Sequence, residues 1–549
     1  MKKEFIYPVR ICKIEGKIEN SGALLSKSNY LQIGLDETEY TVLYCGASIV
    51  LDFGKEYCGG VRFLTYQAEG KCRVRIRFGE SLGESCAELG EKGASNDHSL
   101  RDFEAELVRY SDMQFGQTAY RFIRVDMLSG GFLKIKKILG TFEYFDAPIR
   151  GDFRCNDERL NKIFDTAAYT LKLCVHNGMV WDGAKRDRLV WIGDIHPEML
   201  GLLSLYGEQN CIKNSLRFIR EQTPLPAFMN RIPSYSLWWI IALSDYYRYT
   251  ADATFLRENA AYLSYLVVQL DSCVDEAGEV HFPESPDQFF FDWATYQRPE
   301  SRAGIYALLC FALQKLLPIA DIVGIRREKI VKLCQRVKSD VPHRNAKQVV
   351  AMQALAGYIG MNERTKELLN AGGSRGVSAF MSYYILHALF MSGGRAETID
   401  ILLEYFGGML NLDATTFWEE FKIEWAELAC AIDVIPKDGE KDIHGDVGEN
   451  CYKGYRRSLC HGWSSGAVPF LLHDVLGIQI MEPGFKKVRV TPYWGKLDWM
   501  KGSISTPYGN IEVAVSKCDG KEKVKISAPL KCEVLIDESI RFKTDIERF

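Results

Sequence analysis

One stretch of this 549-residue chain concentrates groups capable of chemistry. It reads Trp181-Asp182-Gly183-Ala184-Lys185-Arg186-Asp187-Arg188-Leu189-Val190-Trp191-Ile192-Gly193-Asp194, with three carboxylates, three cations and two tryptophans. If a helix begins around Asp187, then Asp187, Trp191 and Asp194 stand at i, i+4 and i+7 on one face. Two carboxylates with an aromatic ring between them suit a sugar. The acids take hydroxyl groups, and the ring packs against the C–H face of a pyranose. The competing reading is a capped surface helix, with Asp187–Arg188 and Asp182–Lys185 as exposed pairs that contribute little.

Three other stretches carry polar residues in suggestive settings. In Asp413-Ala414-Thr415-Thr416-Phe417-Trp418-Glu419-Glu420, Thr416 and Glu419 have the spacing of a T-x-x-E capping box, which is the plain role for Glu419. In Ser458-Leu459-Cys460-His461-Gly462-Trp463, a histidine sits among small residues beside a tryptophan, as at a cavity wall. A satisfied structural histidine is the plainer alternative. Pro283-Glu284-Ser285-Pro286-Asp287-Gln288-Phe289-Phe290-Phe291-Asp292-Trp293 contains two prolines and reads as a long loop between helices, a common carrier of function.

Other chemistries lack their motifs. There is no GxxxxGK[ST] phosphate loop, no HExxH zinc helix and no GxSxG nucleophile elbow. The nine histidines show no metal-ligand spacing, His196 beside Asp194 included. No metal or cofactor is therefore expected. The chain has 68 Lys+Arg against 72 Asp+Glu, a balance that argues against nucleic-acid binding through a basic surface. No run of 18 apolar residues suggests a transmembrane helix. The start, MKKEFIYPVRICKIEGK, has no apolar core of signal-peptide length. The 16 cysteines are scattered without a CxxC pair and read as free thiols. A soluble cytoplasmic protein with no membrane partner is the expectation. With 10 Trp, 27 Tyr and 29 Phe, the chain has rings enough for a core and for a sugar-binding wall.

The elements that must hold these segments fall into three parts. Residues 1–150 read as strands. Cys72-Arg73-Val74-Arg75-Ile76-Arg77-Phe78 alternates apolar residues with arginines, as a half-buried strand does. Similar runs at Ala47–Phe53, Val61–Tyr66 and Phe122–Val125, with turns such as Gly59-Gly60, predict an antiparallel β-sandwich. Near Arg154 the spacing becomes helical. Asn156 is the expected N-cap, followed by Leu160, Ile163, Phe164, Ala167, Leu171 and Cys174. Helices are predicted over 157–176, 195–205, 208–222, 234–250, 254–273, 301–319, 326–338, 345–359, 362–370, 377–391, 394–408, 416–429 and 461–475. Val377–Met391 is apolar nearly all round and should be fully buried. So many helices exceed a simple bundle, and a double ring would bury the most apolar ones inside. No fixed repeat supports a solenoid. Ile511, Val513 and Val515 alternate with Glu512, Ala514 and Ser516. Val524 and Ile526 repeat the pattern after an expected turn at Asp519-Gly520. That predicts a second small antiparallel β-sandwich. The division is 1–150, 151–475 and 476–549.

The Asp182–Asp194 stretch resembles the signature of the α-L-rhamnosidases of glycoside hydrolase family 78, Asp-x-x-x-Arg-Glu-Arg-Leu-Gly-Trp-x-Gly-Asp. Asp182, Arg186, Arg188, Leu189, Trp191, Gly193 and Asp194 match it. The Ala-Thr-Thr-Phe-Trp-Glu run ending at Glu419 resembles the family's second catalytic segment, and Ser458–Trp463 its histidine segment. Leu51–Gly54 with Gly59–Val61 resembles its N-terminal sandwich, and Pro483–Val488 its C-terminal one. The resemblance implies a multidomain chain, an (α/α)6 barrel flanked by β-sandwiches, and agrees with the helix pattern. It also implies inverting hydrolysis of a small rhamnosyl glycoside or oligosaccharide by two carboxylates. One protonates the leaving oxygen and the other activates water, at a separation of about 6.5–9.5 Å. The acid position falls on Asp187 and the base position on Glu419. Asp182, Arg186, Trp191, Asp194 and His461 fall on sugar-holding positions. Trp418 and Trp463 flank the second and third segments, and Asp292 and Trp293 resemble an acidic-aromatic wall.

One departure stands at the acid. The family has Glu where this chain has Asp187, whose carboxyl reaches about 1–1.5 Å less far. Its intrinsic pKa is also lower, about 3.9 against 4.3. Ionised Asp182 and Asp194 nearby would raise it, and Arg186, Arg188 and a helix N-terminus would lower it. A contracted pocket, a different sugar, or weak or absent catalysis would each accommodate the change. The competing functions are another glycosidase of the same helical type acting on a different sugar, and a carbohydrate-binding protein without catalysis.

Overall fold

The structure, a computed structural model, describes the whole chain except residues 29, 36–38, 283–286, 451, 519–520, 538–539 and 541–542. The expected turn at Asp519-Gly520 and the Pro283–Pro286 part of the long loop lie outside the described residues.

Nine strands between Lys2 and Tyr144 join into one hydrogen-bonded sheet whose pairings are all antiparallel. In the strand Cys72–Gly79 the apolar residues Cys72, Val74, Ile76 and Phe78 are buried, as alternation requires. Arg75 and Arg77 on its other face pair with Glu88, Asp102 and Asp126. The strands expected at Ala47–Phe53 and Val61–Tyr66 are a single strand, Ser48–Ala68. Gly59-Gly60 does not turn the chain but lies within this strand at a bulge. A Cβ on Gly59 would come 2.0 Å from the Thr141 carbonyl oxygen, and one on Gly60 2.2 Å from that of Phe115. Close backbone approach, not reversal, demands glycine here. Beyond this sheet's strand Cys72–Gly79 comes a short helix, α1 (Leu82–Cys86), whose N-cap Ser81 accepts from the Glu84 N–H. The Leu82 N–H is bonded to the Ile432 carbonyl, which ties α1 to the helical region.

That region contains α2 (Glu158–Leu173), α3 (Ile195–Tyr206), α4 (Asn210–Gln222), α5 (Pro233–Thr250), α6 (Ala253–Ser272) and α7 (Glu300–Leu316). It continues with α8 (Arg327–Arg336), α9 (Lys347–Leu355), α10 (Glu363–Asn370), α11 (Ser382–Met391), α12 (Arg395–Asn411) and α13 (Ala467–Phe470). Among the described residues, α3 packs on α5, α5 on α7, α7 on α9, α9 on α11, α11 on α13, and α13 on α3. These helices form a closed inner ring. Their sequences explain their place: every residue of α3 is buried, and α5, α7 and α11 are buried over most of their surface. Glu300–Ile319 is apolar enough by composition to cross a membrane, yet it is an inner helix of this ring. The alternate helices are amphipathic. In α4, Cys211, Ile212, Ser215, Leu216 and Ile219 form the buried face, and α8 buries only Ile330 and Leu333.

Three expectations change here. The N-cap of α2 is Asp157, which accepts from the Arg159 and Leu160 N–H groups. Asn156 instead uses its amide oxygen for the N–H groups of Asp498 and Trp499, tying the helical region to the C-terminal strands. No helix forms over 416–429 beyond a short 3-10 turn at Ile423–Ala426. Over 461–475, a 3-10 turn, α13 and a π-turn replace one continuous helix.

The C-terminal strands make a five-stranded and a three-stranded sheet. They are mixed rather than wholly antiparallel: Lys521–Ala528 pairs parallel with Thr544–Arg548, and Lys487–Val490 with Glu533–Ile536. Asp152–Cys155 pairs with Trp499–Thr506, so the chain enters the helical region by way of the C-terminal sheet.

Candidate active site

Three loops meet at one end of the ring, and backbone hydrogen bonds lock them together. Ala184 N–H donates to the Cys460 carbonyl, Gly462 N–H to that of Asp182, and Glu419 N–H to that of Ser458. His461 N–H donates to the Phe417 carbonyl. These bonds explain why neither loop is helical. Thr416 does not cap a helix, because its hydroxyl donates to the Leu459 carbonyl at 2.7 Å.

The stretch from Trp181 to Asp194 is likewise a loop, and α3 begins only at Ile195. Asp182 closes it: its N–H donates to the Leu189 carbonyl, and its Oδ1 accepts from the Leu189 N–H at 2.8 Å. Arg188 takes a left-handed backbone, φ 61°, that helix continuation forbids. The expected one-face helix is therefore replaced by a folded loop. Asp187 and Trp191 still meet, through the indole Nε1–H donated to Asp187 Oδ2 at 2.9 Å.

A cavity of about 190 Å³ lies at this junction. Asp182, Arg186, Asp187, Trp191, Asp194, Glu419 and His461 line it, as does Trp293. It adjoins a larger cavity of about 850 Å³, with Trp293, Glu419 and Tyr452 lining both. Asp292 and Trp463 line only the larger one. Trp418 lines neither. Its ring is fully buried, packs edge-on against Phe421 and belongs to the core. The bulk of an indole beside Glu419 is accommodated inward, where apolar area is removed from water.

Glu419 is held on both oxygens. Arg186 Nη2 donates to Oε1 at 3.0 Å, and the Ser458 N–H donates to Oε2 at 2.8 Å. Burial raises the Glu419 pKa, while Arg186 and the Ser458 N–H pull it down. Arg186 thus gives Nη2 to Glu419 while also lining the small cavity. Its guanidinium also sits over the Tyr452 ring and 3.7 Å from Asp187 Oδ1.

Opposite stands a set of buried acids around one imidazole. His461 Nε2 lies 3.7 Å from Asp182, 3.9 Å from Asp194 and 3.6 Å from Glu419. Burial pushes the Asp182 carboxyl well above its ordinary pKa, and Asp194 and Asp187 add to the shift. Asp194 is raised in the same way, although the Tyr235 hydroxyl donates to its Oδ1 at 3.0 Å. Burial, and then Arg186, hold His461 well below its ordinary value and hence neutral. A protonated acid or a neutral imidazole can both donate to and accept from hydroxyl groups, whereas a carboxylate only accepts. Asp292 is also buried and is pushed up to about 6, opposed by the Ser378 hydroxyl at 2.6 Å.

Asp187 is the most exposed of the acids, its side chain 21% accessible against 2–5% for Asp182, Asp194 and Glu419. Its Oδ1 lies 3.2 Å from His98 Nε2, brought by a loop of the N-terminal region. Sequence reading missed His98, Tyr235 and Tyr452. His98 lies in a polar run that reads as a solvated loop. Tyr235 lies in an apolar helix where a ring reads as core.

One group of described residues has metal-ligand proximity: Glu80, Glu84 and His444. It is occupied by an internal cation. Lys185 Nζ lies 2.9 Å from Glu80 and 3.1 Å from Glu84. Glu80 in turn accepts from the Leu459 N–H and the Ser458 hydroxyl, so this buried network braces the histidine segment.

Comparison with known proteins agrees with the fold. Residues 149–324 match the bacterial alpha-L-rhamnosidase six-hairpin glycosidase domain, and residues 477–538 the bacterial alpha-L-rhamnosidase C-terminal domain. An alpha-L-rhamnosidase of Alteromonas sp. (strain LOR) is 23% identical over 540 residues, covering 88% of this chain and 55% of its own length. The GH78 family rhamnosidase of Bacillus sp. GL1 superposes with a TM-score of 0.74 at 20% identity. That match covers 96% of this chain and 56% of the other. The rhamnosidase from Klebsiella oxytoca, solved with rhamnose bound, gives 0.67 at 19% identity, covering 86% of this chain and 95% of its own. This chain spans about half the length of the curated relative it matches. The likenesses establish the fold, that of the rhamnosidases.

Proposed function

We propose that this protein is a glycoside hydrolase of family 78 that removes terminal α-L-rhamnosyl residues with inversion. On this reading the ring of paired helices is an (α/α)6 barrel flanked by β-sandwiches, and the small cavity holds one sugar ring. The observation that carries the reading is the pairing of two differently treated carboxyls on one small cavity. Glu419 is buried and fixed by Arg186 and the Ser458 N–H. Asp187 is partly exposed, its side chain 21% accessible.

The roles follow from these settings. Glu419, in its ionised form, takes a proton from the attacking water, with Arg186 and the Ser458 N–H opposing the rise in pKa that burial causes. Asp187 gives its proton to the glycosidic oxygen. Arg186 touches both carboxyls, which suits a separation wide enough for a water, about 6.5–9.5 Å in inverting enzymes. Asp182, Asp194 and His461 hold the sugar hydroxyls, and Trp191 and Trp293 cover apolar faces of the ring. Asp292 and Trp463, on the larger cavity, face the remainder of the substrate. The relatives named as rhamnosidases, one with rhamnose bound, support the choice of sugar.

The test is hydrolysis of p-nitrophenyl α-L-rhamnopyranoside by wild type, Asp187→Asn and Glu419→Gln across pH 4–8. Each substitution should lower turnover by orders of magnitude, and proton NMR should show the β-anomer of rhamnose forming first. No turnover by folded wild-type protein, or α-anomer as first product, overturns the reading.

A further inference from the structure

The geometry points to His98 as a positioning residue for the acid Asp187, supplied across the domain boundary by the N-terminal sheet. This rests on the assignment of Asp187 as the acid. The two oxygens of Asp187 have separate holders. Trp191 Nε1–H donates to Oδ2 at 2.9 Å, and His98 Nε2 lies 3.2 Å from Oδ1. The third group nearby, Arg186 Nε, stands farther off at 3.7 Å. With His98 and Trp191 at opposite oxygens, the plane of the carboxyl is fixed. An aspartate has one fewer rotatable bond than a glutamate but also a shorter reach, so its orientation decides whether the proton meets the leaving oxygen.

The backbone on both sides of this contact is bent toward it. His98 has φ 67° and Arg188, which follows Asp187, has φ 61°. Neither is glycine, and residues without that freedom hold such angles only where the surroundings enforce them. The surroundings do so here. Asn96 folds the His98 loop by accepting from the Arg101 and Asp102 N–H groups, both at 3.0 Å. The hydroxyl of Ser99 lies 2.8 Å from that of Thr118 and donates to the Lys185 carbonyl at 3.1 Å. Arg188 donates to the backbone and side-chain oxygens of Gln117 and covers the Trp181 ring. Through Ser99, Gln117 and His98 the sheet region therefore grips the Lys185–Arg188 segment, and His98 is the one that reaches the carboxyl.

A positioning role for the acid has a signature that a purely structural role lacks. A rhamnoside of 2,4-dinitrophenol releases a phenolate that needs no proton, whereas a methyl rhamnoside releases an alkoxide that does. Steady-state kcat and KM are measured on both for wild type, Asp187→Asn, His98→Ala and His98→Gln. His98→Ala should lose roughly ten- to a hundredfold in kcat on the methyl glycoside and less than about threefold on the dinitrophenyl one, with KM little changed. His98→Gln, which keeps an N–H near the Nε2 position, should recover most of the loss and serves if the alanine variant does not fold. Equal losses on both substrates, or none on either, overturn the proposal. If Asp187→Asn shows the leaving-group dependence and the His98 variants do not, only the role of His98 falls. If Asp187→Asn shows none, the acid assignment falls, and this proposal with it.

Discussion

Arg186 and Glu419 form a buried ion pair, with Nη2 3.0 Å from Oε1 and both side chains at most 6% exposed. Burial raises the Glu419 pKa and Arg186 opposes that rise, so Arg186 brings down the pH at which Glu419 ionises.

Replacing Arg186 by Met should therefore raise the Glu419 pKa. A base works only when ionised, so the acidic limb of the kcat/KM profile should move to higher pH, and the deficit should be largest at low pH. Leaving Glu419 buried and unpaired should also cost about 3–5 kcal/mol of stability. A pH–rate profile with parallel denaturant unfolding checks both. An unshifted acidic limb would mean that Glu419 does not set it.

Lys185 poses the same question away from the chemistry. It is buried with Glu80 and Glu84 and also donates to the Tyr455 and Arg457 carbonyls. Lys185→Met should destabilise the fold by about 3–5 kcal/mol, because two acids lose the buried cation that is ion-paired with both. Lys185→Met combined with Glu80→Gln should be less destabilised than the single change, since one stranded charge is removed. Calorimetric melting of the three proteins measures this. A double variant no better than Lys185→Met would show that the acids are already neutral.

Much of the architecture was legible from periodicity. The inner helices are apolar nearly all round, and α3 and α5 lie where their sequences expect them, whereas the helix expected over 377–391 begins only at Ser382 and leaves Met391 45% exposed. Periodicity failed where tertiary bonds replaced local ones. Thr416 and Glu419 have capping-box spacing, but the Thr416 hydroxyl goes to Leu459 and the Glu419 carboxylate to Arg186 and Ser458. Asp187, Trp191 and Asp194 have helical spacing, but Asp182 ties the loop back on itself through Leu189. Composition and spacing singled out the segments that carry Asp182, Asp187, Asp194, Glu419 and His461, but the roles of acid and base come only from the resemblance of motifs. His98 carries no local signal, because its partner lies in another part of the chain.

The pH dependence of stability can be divided by residue. Burial lowers His176 to about 4, with Arg188 adding to the shift. A histidine ordinarily titrates near 6.5, so the unfolded chain takes up its proton first as pH falls. The contribution of His176 is present above about 6.5 and is lost as pH falls toward 4. Asp292 has the opposite sign. Its pKa is raised from 3.8 to about 6, so its contribution is present at low pH and lost as pH rises through about 6. His176→Gln should flatten the acid side of a melting-temperature profile, and Asp292→Asn should gain on wild type as pH rises from 4 to 7. Profiles parallel to wild type would refute the shifts.

The two tryptophans beside the acid and the base should separate by the kind of damage their loss does. Trp418 is fully buried in the core, so Trp418→Ala should cost about 3–5 kcal/mol through the cavity it leaves. Trp191 is half-buried at the cavity, and its indole N–H holds Asp187 Oδ2. Trp191→Phe keeps a ring for packing and deletes that donor. It should leave stability within about 1 kcal/mol of wild type, the size of one net hydrogen bond. Its kcat on a poor leaving group should fall, because the acid loses one of its two holders. Unfolding curves and kcat for both variants test the contrast. A Trp191→Phe enzyme with unchanged kcat would place the orientation of Asp187 on His98 alone.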